Sequence, residues 1–271
     1  MADKGRMRRS DSILDYLGLA IASGRIAEGD LIPTEADLMD QFQVGRSSVR
    51  EAIAALVGHG MLTASPRRGT VVNERLRWNT LNRDVLRWLM QDQASKPEIL
   101  EAIDEARRIF EPASAALVAV RATRLQLIEI ETAYAQMEEA AQVGDVEAAI
   151  LADRAFHHAI LKATGNPILE AFESALDTVL GLLFSVAANH MENFRANLGN
   201  HLDILEAIRR RDAEGAELAM RKTINFTSDK LKNAKLMWMT LLVPVAGPAS
   251  SMRWVVAFQR DQPVLDCGSG M

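Results

Sequence analysis

Along the first 75 residues, apolar positions recur at helical spacing in three short runs and then give way to two β-prone runs. "DSILDYLGLAIAS", residues 11–23, predicts a helix that stops at Gly24. "GRIAEGDLIP" reads as a short extended connection ending at Pro33. Thr34 followed by Asp37 has the form of a capping pair and opens a second helix, "TEADLMDQF". A third begins near Arg46, "RSSVREAIAALVGHG", and closes at Gly58 or Gly60, with Val49, Ile53, Leu56 and Val57 as its inward stripe. The β-prone runs, "MLTA" and "TVV", are joined by "SPRRG", whose Pro and Gly suit a turn. Three helices and a hairpin within about 65 residues predict a winged helix-turn-helix over residues 8–76.

Residues 77–97 read as a linker with a short helix of its own, "DVLRWLMQD". From 98 to 235 the chain is a succession of long amphipathic helices separated by Gly, Asn or Pro, with no strand signal. The fold class is therefore mostly α: a winged helix-turn-helix with a small β-hairpin, then an antiparallel all-α bundle. Residues 236–271 are atypical. "LMWMTLLVPVAGPASSM" carries no charge and approaches the shortest membrane span, roughly 17 residues. Pro244, Gly247, Pro248 and the two serines argue against a span and for a disordered tail, or one packed on a partner.

Composition changes this picture in two places. The single cysteine, Cys267, rules out an intramolecular disulfide and suits a reducing cytosol, and the N-terminus has no signal-peptide pattern, so a cytoplasmic protein is expected. The net charge of −5 is uneven: residues 1–77 hold 11 Lys and Arg against 10 Asp and Glu, and the remainder 20 against 26. A global excess of acid excludes a whole-surface polyanion binder but not a compact nucleic-acid module at one end.

The third helix opens with Arg46, Ser47, Ser48 and Arg50. Short hydroxyls and guanidinium forks at a helix N-terminus suit phosphate and guanine-edge contacts in a major groove. Arg67 and Arg68 fall at the hairpin tip, where a wing can enter a minor groove. An arginine pair at a turn is by itself an ordinary solvated face; behind a helix-turn-helix it points to double-stranded DNA.

"IPTEADLMDQFQVGRSSVREAIAALVGHGMLTASPRRGTVV" resembles the DNA-binding domain of the GntR family of bacterial transcription regulators. The resemblance implies DNA contacts from Arg46, Ser47, Ser48, Arg50, Arg68 and Gly69. Many members carry arginine where this chain has Ala36, so one contact is missing. Together with the helical half, which resembles the FadR-type FCD effector domain, the likeness spans about residues 10–235. "RWNTLNRDVLRWLM" is similar to regulators of galactonate and related sugar-acid pathways.

The helical half sends polar groups inward from three helices. In "ILEAIDEARRIFEPASAAL", Arg107 shares a face with Leu100, Ile103, Phe110 and Ser114. In "ILADRAFHHAILKATGNP", Asp153 and His157 stack on a face with Val146, Ile150, Ile160 and Leu161. In "HLDILEAIRRRD", His201 lies with Ile204, Leu205 and Ile208. Each has a bland explanation: Arg107 pairing with Glu111 one turn on, His201 as a hydrogen-bonded core histidine, Asp153 and His157 as a satisfied core pair. His158 lies just off the inward face and reads as surface or boundary. Burying three such groups unpaired is costly, so their coincidence points to a site, catalytic, metal-binding or ligand-binding.

The FCD resemblance implies a divalent metal held by an Asp-x3-His pair and two later histidines. Asp153, His157 and His201 match the first three places, and Thr223, in "MRKTI", occupies the fourth. Three protein ligands with open positions then suit zinc, nickel or manganese. Arg107 matches the arginine such regulators direct at an acidic effector, a small organic acid. The expected function is a homodimeric repressor on an inverted-repeat operator, with no membrane partner and no enzymatic activity. A metal-dependent hydrolase built on the bundle and an acyl-CoA-responsive regulator are the competing readings.

Overall fold

A computed structural model of the chain describes residues 9–65, 69–172 and 190–241. Helix α1 (Arg9–Ala22), α2 (Glu35–Phe42) and α3 (Arg46–Gly58) precede an antiparallel hairpin of β1 (Leu62–Ser65) and β2 (Gly69–Val72). Thr34 and Asp37 form the expected capping box, each side chain accepting from the other's backbone N–H. The hairpin pairs Leu62 with Val72 and Ser65 with Gly69. The extended connection before α2 is itself part of this sheet. Ile32 N–H donates to Thr70 at 3.0 Å and Gly29 N–H to Val72 at 2.9 Å, so it covers the outer edge of β2.

Within α3 the buried stripe is Val49, Ala52 and Leu56, with Ile53 half-buried. Val57, expected to face inward, is exposed. Eight residues after Val49 it has drifted about 80° round the helix, while Ala52 lies on the other flank of the stripe.

Segment 77–97 carries its expected short helix, and that helix is buried. Its helix α4 (Arg83–Gln91) buries Val85, Leu86, Trp88, Leu89 and Met90, all but one of its apolar core partners lying in the N-terminal module or the next helix. Trp88 lies on Gly18 of α1, where any Cβ would sit 2.4 Å from the indole. Asp15 accepts from Trp88 Nε1 at 3.1 Å and from Arg87 Nη2 at 2.5 Å, which pins α4 to α1.

The bundle comprises α5 (Lys96–Arg121), α6 (Arg124–Val143), α7 (Val146–Ala163), the single turn α8 (Pro167–Glu170), α9 (His190–Arg209) and α10 (Ala213–Leu241). Thr123 and Gln126 cap α6 reciprocally, Gly144 ends it at φ +81°, and Asp145 opens α7. The core is rich in alanine, with Met137, Phe156, Ile160, Ile204, Leu205, Met220 and Ile224 filling between closely packed helices. Val146 lies outside it, exposed at the first turn of α7, and Ala149, Ala152 and Phe156 supply the inward face instead. Helix α10 runs to Leu241, six residues past the expected bundle end, so the start of the apolar segment at 236 continues a helix. Among the described residues no helix is long and apolar enough to cross a membrane. The rest of the tail and the wing-tip arginines, Arg67 and Arg68, lie outside the described residues.

Candidate functional site

The N-terminal module offers an exposed helix terminus. Gly45, the N-cap of α3, has no side chain to cap the first turn; Ser48 N–H donates to the Gly45 carbonyl at 3.1 Å, and the Arg46 and Ser47 N–H groups before it have no side-chain cap. Arg46, Ser47 and Arg50 are exposed there and Ser48 is half-buried. Glu35 of α2 lies 3.6 Å from Nε of both Arg46 and Arg50, so one carboxylate holds both guanidinium groups on the same side of the helix. Such solvated pairs are weak and yield readily to phosphate. Ala36 beside it presents only an exposed methyl group. Gly69 opens the second strand at φ +81°, with Leu31 packed 3.0 Å from where a Cβ would stand.

In the bundle, three helices bring the inward polar groups together. Asp153, His157 and His201 are all buried, and their ligand atoms lie within 4.8 Å of one another. His201 Nε2 is 3.2 Å from Asp153 Oδ1 and 3.4 Å from His157 Nε2. The other nitrogen of each ring faces an acceptor. His201 Nδ1 lies 3.0 Å from the Asn197 carbonyl, and His157 Nδ1 lies 2.6 Å from Glu111 Oε2. The second contact is close but poorly aligned for a hydrogen bond; among the described residues neither atom has a hydrogen-bond partner, so proximity makes them a pair.

These neighbours assign the ring protons to Nδ1. In the neutral form that ligation requires, both Nε2 atoms are then acceptors beside Asp153, with no hydrogen among the three. That concentration of electron density suits a cation and is the donor set of a divalent metal, with imidazoles oriented from behind by a carbonyl and a carboxylate. The residues present therefore fit a metal. Burial opposes ionisation of Asp153, but when the rings carry protons on this side a hydrogen bond from His201 and the positive charge of His157, His201 and Arg107 outweigh it and hold its carboxyl below the usual range. Glu111 behaves alike: against its burial, Arg107 and His157 lower its pKa to about 2.

Arg107, fully buried on α5, donates from Nε to Glu111 Oε1 at 2.5 Å. Among the described residues its buried Nη1 has no hydrogen-bond partner, a donor left over after the carboxylate is engaged. Thr223 is buried on α10 and its hydroxyl donates to the Ala219 carbonyl at 3.1 Å, a bond within its own helix. Glu111 and Asn197 were not singled out by sequence reasoning as part of a site. Glu111 had one visible signal, its position one turn beyond Arg107; Asn197 lies one turn before His201 and contributes a backbone carbonyl, which its residue type does not record.

A winged helix-turn-helix joined to an all-helical domain with a buried polar site is the build of a bacterial DNA-binding transcription regulator. Residues 9–72 match the gntR family of bacterial regulatory proteins and residues 98–226 match the FCD domain. The galactonate operon transcriptional repressor of Escherichia coli (strain K12) is 32% identical over 227 residues, 83% of this chain and 98% of that protein. The HTH-type transcriptional repressor NanR of Edwardsiella tarda is 30% identical over 226 residues, covering 81% of this chain and 84% of NanR. Lar, which controls expression of the Listeria monocytogenes agr system, shares the fold, with a TM-score of 0.54 at 18% identity over 86% of this chain and 99% of Lar. The chain belongs to the GntR family and carries an FCD domain.

Proposed function

We propose that this regulator is a cytoplasmic homodimeric repressor, released from an inverted-repeat operator when a small sugar-acid carboxylate enters the helical bundle. The observation that carries the reading is the buried, unpartnered Nη1 of Arg107 beside the Asp153, His157 and His201 cluster. With both imidazoles neutral, as ligation requires, Arg107, Glu111 and Asp153 together carry one net negative charge. A divalent ion reverses that to one positive charge, and a monocarboxylate restores neutrality in a site that water does not screen.

Asp153, His157 and His201 are the residues that would hold the ion, with Thr223 in place of a fourth ligand. When bound, zinc, nickel or manganese would supply positions for effector oxygens. The Arg107 guanidinium takes the carboxylate, which a planar fork fits better than a point charge. On DNA, Arg46, Ser47, Ser48 and Arg50 enter the major groove, while Arg68 and Gly69 belong to the wing. A galactonate operon repressor among the relatives supports an aldonate as the first ligand to try.

The test has two stages. Genomic fragments retained by the full-length protein identify the operator. Fluorescence anisotropy on that fragment then measures release by galactonate, by other aldonates and by acyl-CoA thioesters. Release by an aldonate at concentrations where acyl-CoA has no effect is the expected result. Release by acyl-CoA alone overturns the reading, as does turnover of an added ester or phosphoester.

A further inference from the structure

Glu111 is buried, and each of its oxygens has a different partner. Oε1 takes Arg107 Nε at 2.5 Å, and Oε2 lies 2.6 Å from His157 Nδ1. We propose that Glu111 is the positioning residue that makes the effector arginine and the metal centre one site. It sets the His157 tautomer that ligation needs, and it makes metal affinity depend on what the guanidinium is doing. The inference rests on the metal-and-carboxylate reading above and adds to it a residue and a direction of coupling.

A carboxylate can only accept, so Nδ1 of His157 has to be the protonated nitrogen and Nε2 the free one. His157 Nε2 faces His201 Nε2 at 3.4 Å, and His201 Nε2 faces Asp153 Oδ1 at 3.2 Å. Reversing the His157 tautomer would put a hydrogen into the space between these three atoms. It would donate to His201 Nε2 and remove a ligand. Glu111 therefore decides whether His157 Nε2 is a metal ligand or a hydrogen-bond donor.

The coupling follows from the other oxygen. Arg107 lies four residues before Glu111 on α5, while His157 is on α7. A carboxylate ligand on the buried Nη1 shares the guanidinium charge that otherwise falls mainly on Glu111. Glu111 is then a stronger acceptor for Nδ1–H, Nε2 becomes the better electron-pair donor, and the metal is held more tightly. By reciprocity, metal raises affinity for the carboxylate by the same factor.

The variant that isolates this role is Glu111→Gln in the full-length protein. The amide matches the carboxylate in shape. Its carbonyl can still accept from Arg107, but its NH2 then points at His157 Nδ1 and moves the ring proton to Nε2. The probes are zinc(II), by competition with a chromophoric chelator, and cobalt(II), by visible absorption, which reports ligand number and geometry. Zinc affinity should fall about 10- to 100-fold and the cobalt spectrum should change. Glu111→Asp, which keeps an acceptor-only group, should recover part of both. A folded Glu111→Gln protein, by circular dichroism, with wild-type zinc affinity and cobalt spectrum overturns the proposal. Should Glu111→Gln fail to fold, Glu111→Asp decides alone. The shorter carboxylate cannot span both partners, so zinc affinity must fall several-fold, and an unchanged value overturns the proposal. A wild-type protein that takes up neither metal overturns the underlying metal reading, a result distinct from metal-binding wild type with an indifferent Glu111.

Discussion

Arg107 is satisfied on one side only, and this decides which substitution probes it. Its Nε is engaged by Glu111 while Nη1 has no partner, and both side chains are fully buried. Arg107→Ala leaves a buried carboxylate short of its principal countercharge; breaking such a pair costs about 3–5 kcal/mol. That variant should show the loss as a lower urea midpoint, which would obscure any effect on signalling. Arg107→Lys keeps a cation for Glu111 but cannot offer a planar fork to a ligand. It should fold, bind operator as the wild type does, and fail to release it when the aldonate is added, all readable in one anisotropy titration. A wild-type response from Arg107→Lys would show that the effector does not use this guanidinium. Thr223→His probes the proposed place of a fourth ligand. Thr223 is buried and its hydroxyl is occupied within its own helix, so the change loses little bonding beyond α10. If an imidazole there reaches the ion, the variant should keep zinc through dialysis and melt at a higher temperature than the wild type, since binding to the native state alone stabilises it. Elemental analysis after dialysis gives the first answer, and no gain in retained metal would remove Thr223 from the site.

At the scale of elements, two glycines hold the DNA-binding module together. Gly60 links α3 to β1 at φ +74°, and a Cβ there would stand 2.2 Å from the Arg77 carbonyl oxygen. Gly60→Ala should cost about 1–2 kcal/mol from the left-handed conformation alone, with the backbone clash adding to it. A melting temperature lowered by several degrees is the expected reading. Gly18→Ala should push the Trp88 indole off α1 and loosen its bond to Asp15, which a red shift of tryptophan emission would report. Much of this module was legible in the sequence, because capping at Thr34, the stripe of α3 and the turn residues of the hairpin are local signals. The burial of α4 was not. It depends on Gly18 having no side chain, and nothing near residue 88 records that. Val57 and Val146 were misplaced for a related reason: each sits at the flank of an apolar stripe, where only the packing partner decides in from out. In the bundle, Asp153 and His157 were legible as a pair four residues apart. The second contact of Glu111 was not, because it exists only once α5 lies against α7.

The whole molecule is joined by α5. Ile99 and Ile103, in its first turns, are buried in the core of the N-terminal module, whereas Val118 and Ala119, near its end, belong to the core of the bundle. Arg107 and Glu111 lie between them, Arg107 one turn beyond Ile103. Pro112 follows at once; it has no N–H to donate to the Arg108 carbonyl, so the helix lacks a rung beside the site. The Ser114 hydroxyl also bonds the Phe110 carbonyl, at 2.7 Å. A helix weakened at this point can change its bend without unfolding either core, and its first turns would carry the change to the winged module. This gives a quantitative expectation that does not depend on the pathway. If the aldonate weakens operator affinity by some factor, operator must weaken aldonate affinity by the same factor, because both describe one coupling free energy. Calorimetry of the aldonate with and without operator, set against anisotropy of operator with and without aldonate, should return equal ratios. Ile103→Ala removes packing where α5 enters the N-terminal core without touching the ligand or the DNA. It should leave the protein folded but less stable, by about 2–5 kcal/mol, and move both ratios toward one together. Unequal ratios in the wild type would mean that the ligand acts on something other than this equilibrium. Wild-type ratios in folded Ile103→Ala would mean that the coupling does not run through this contact of α5.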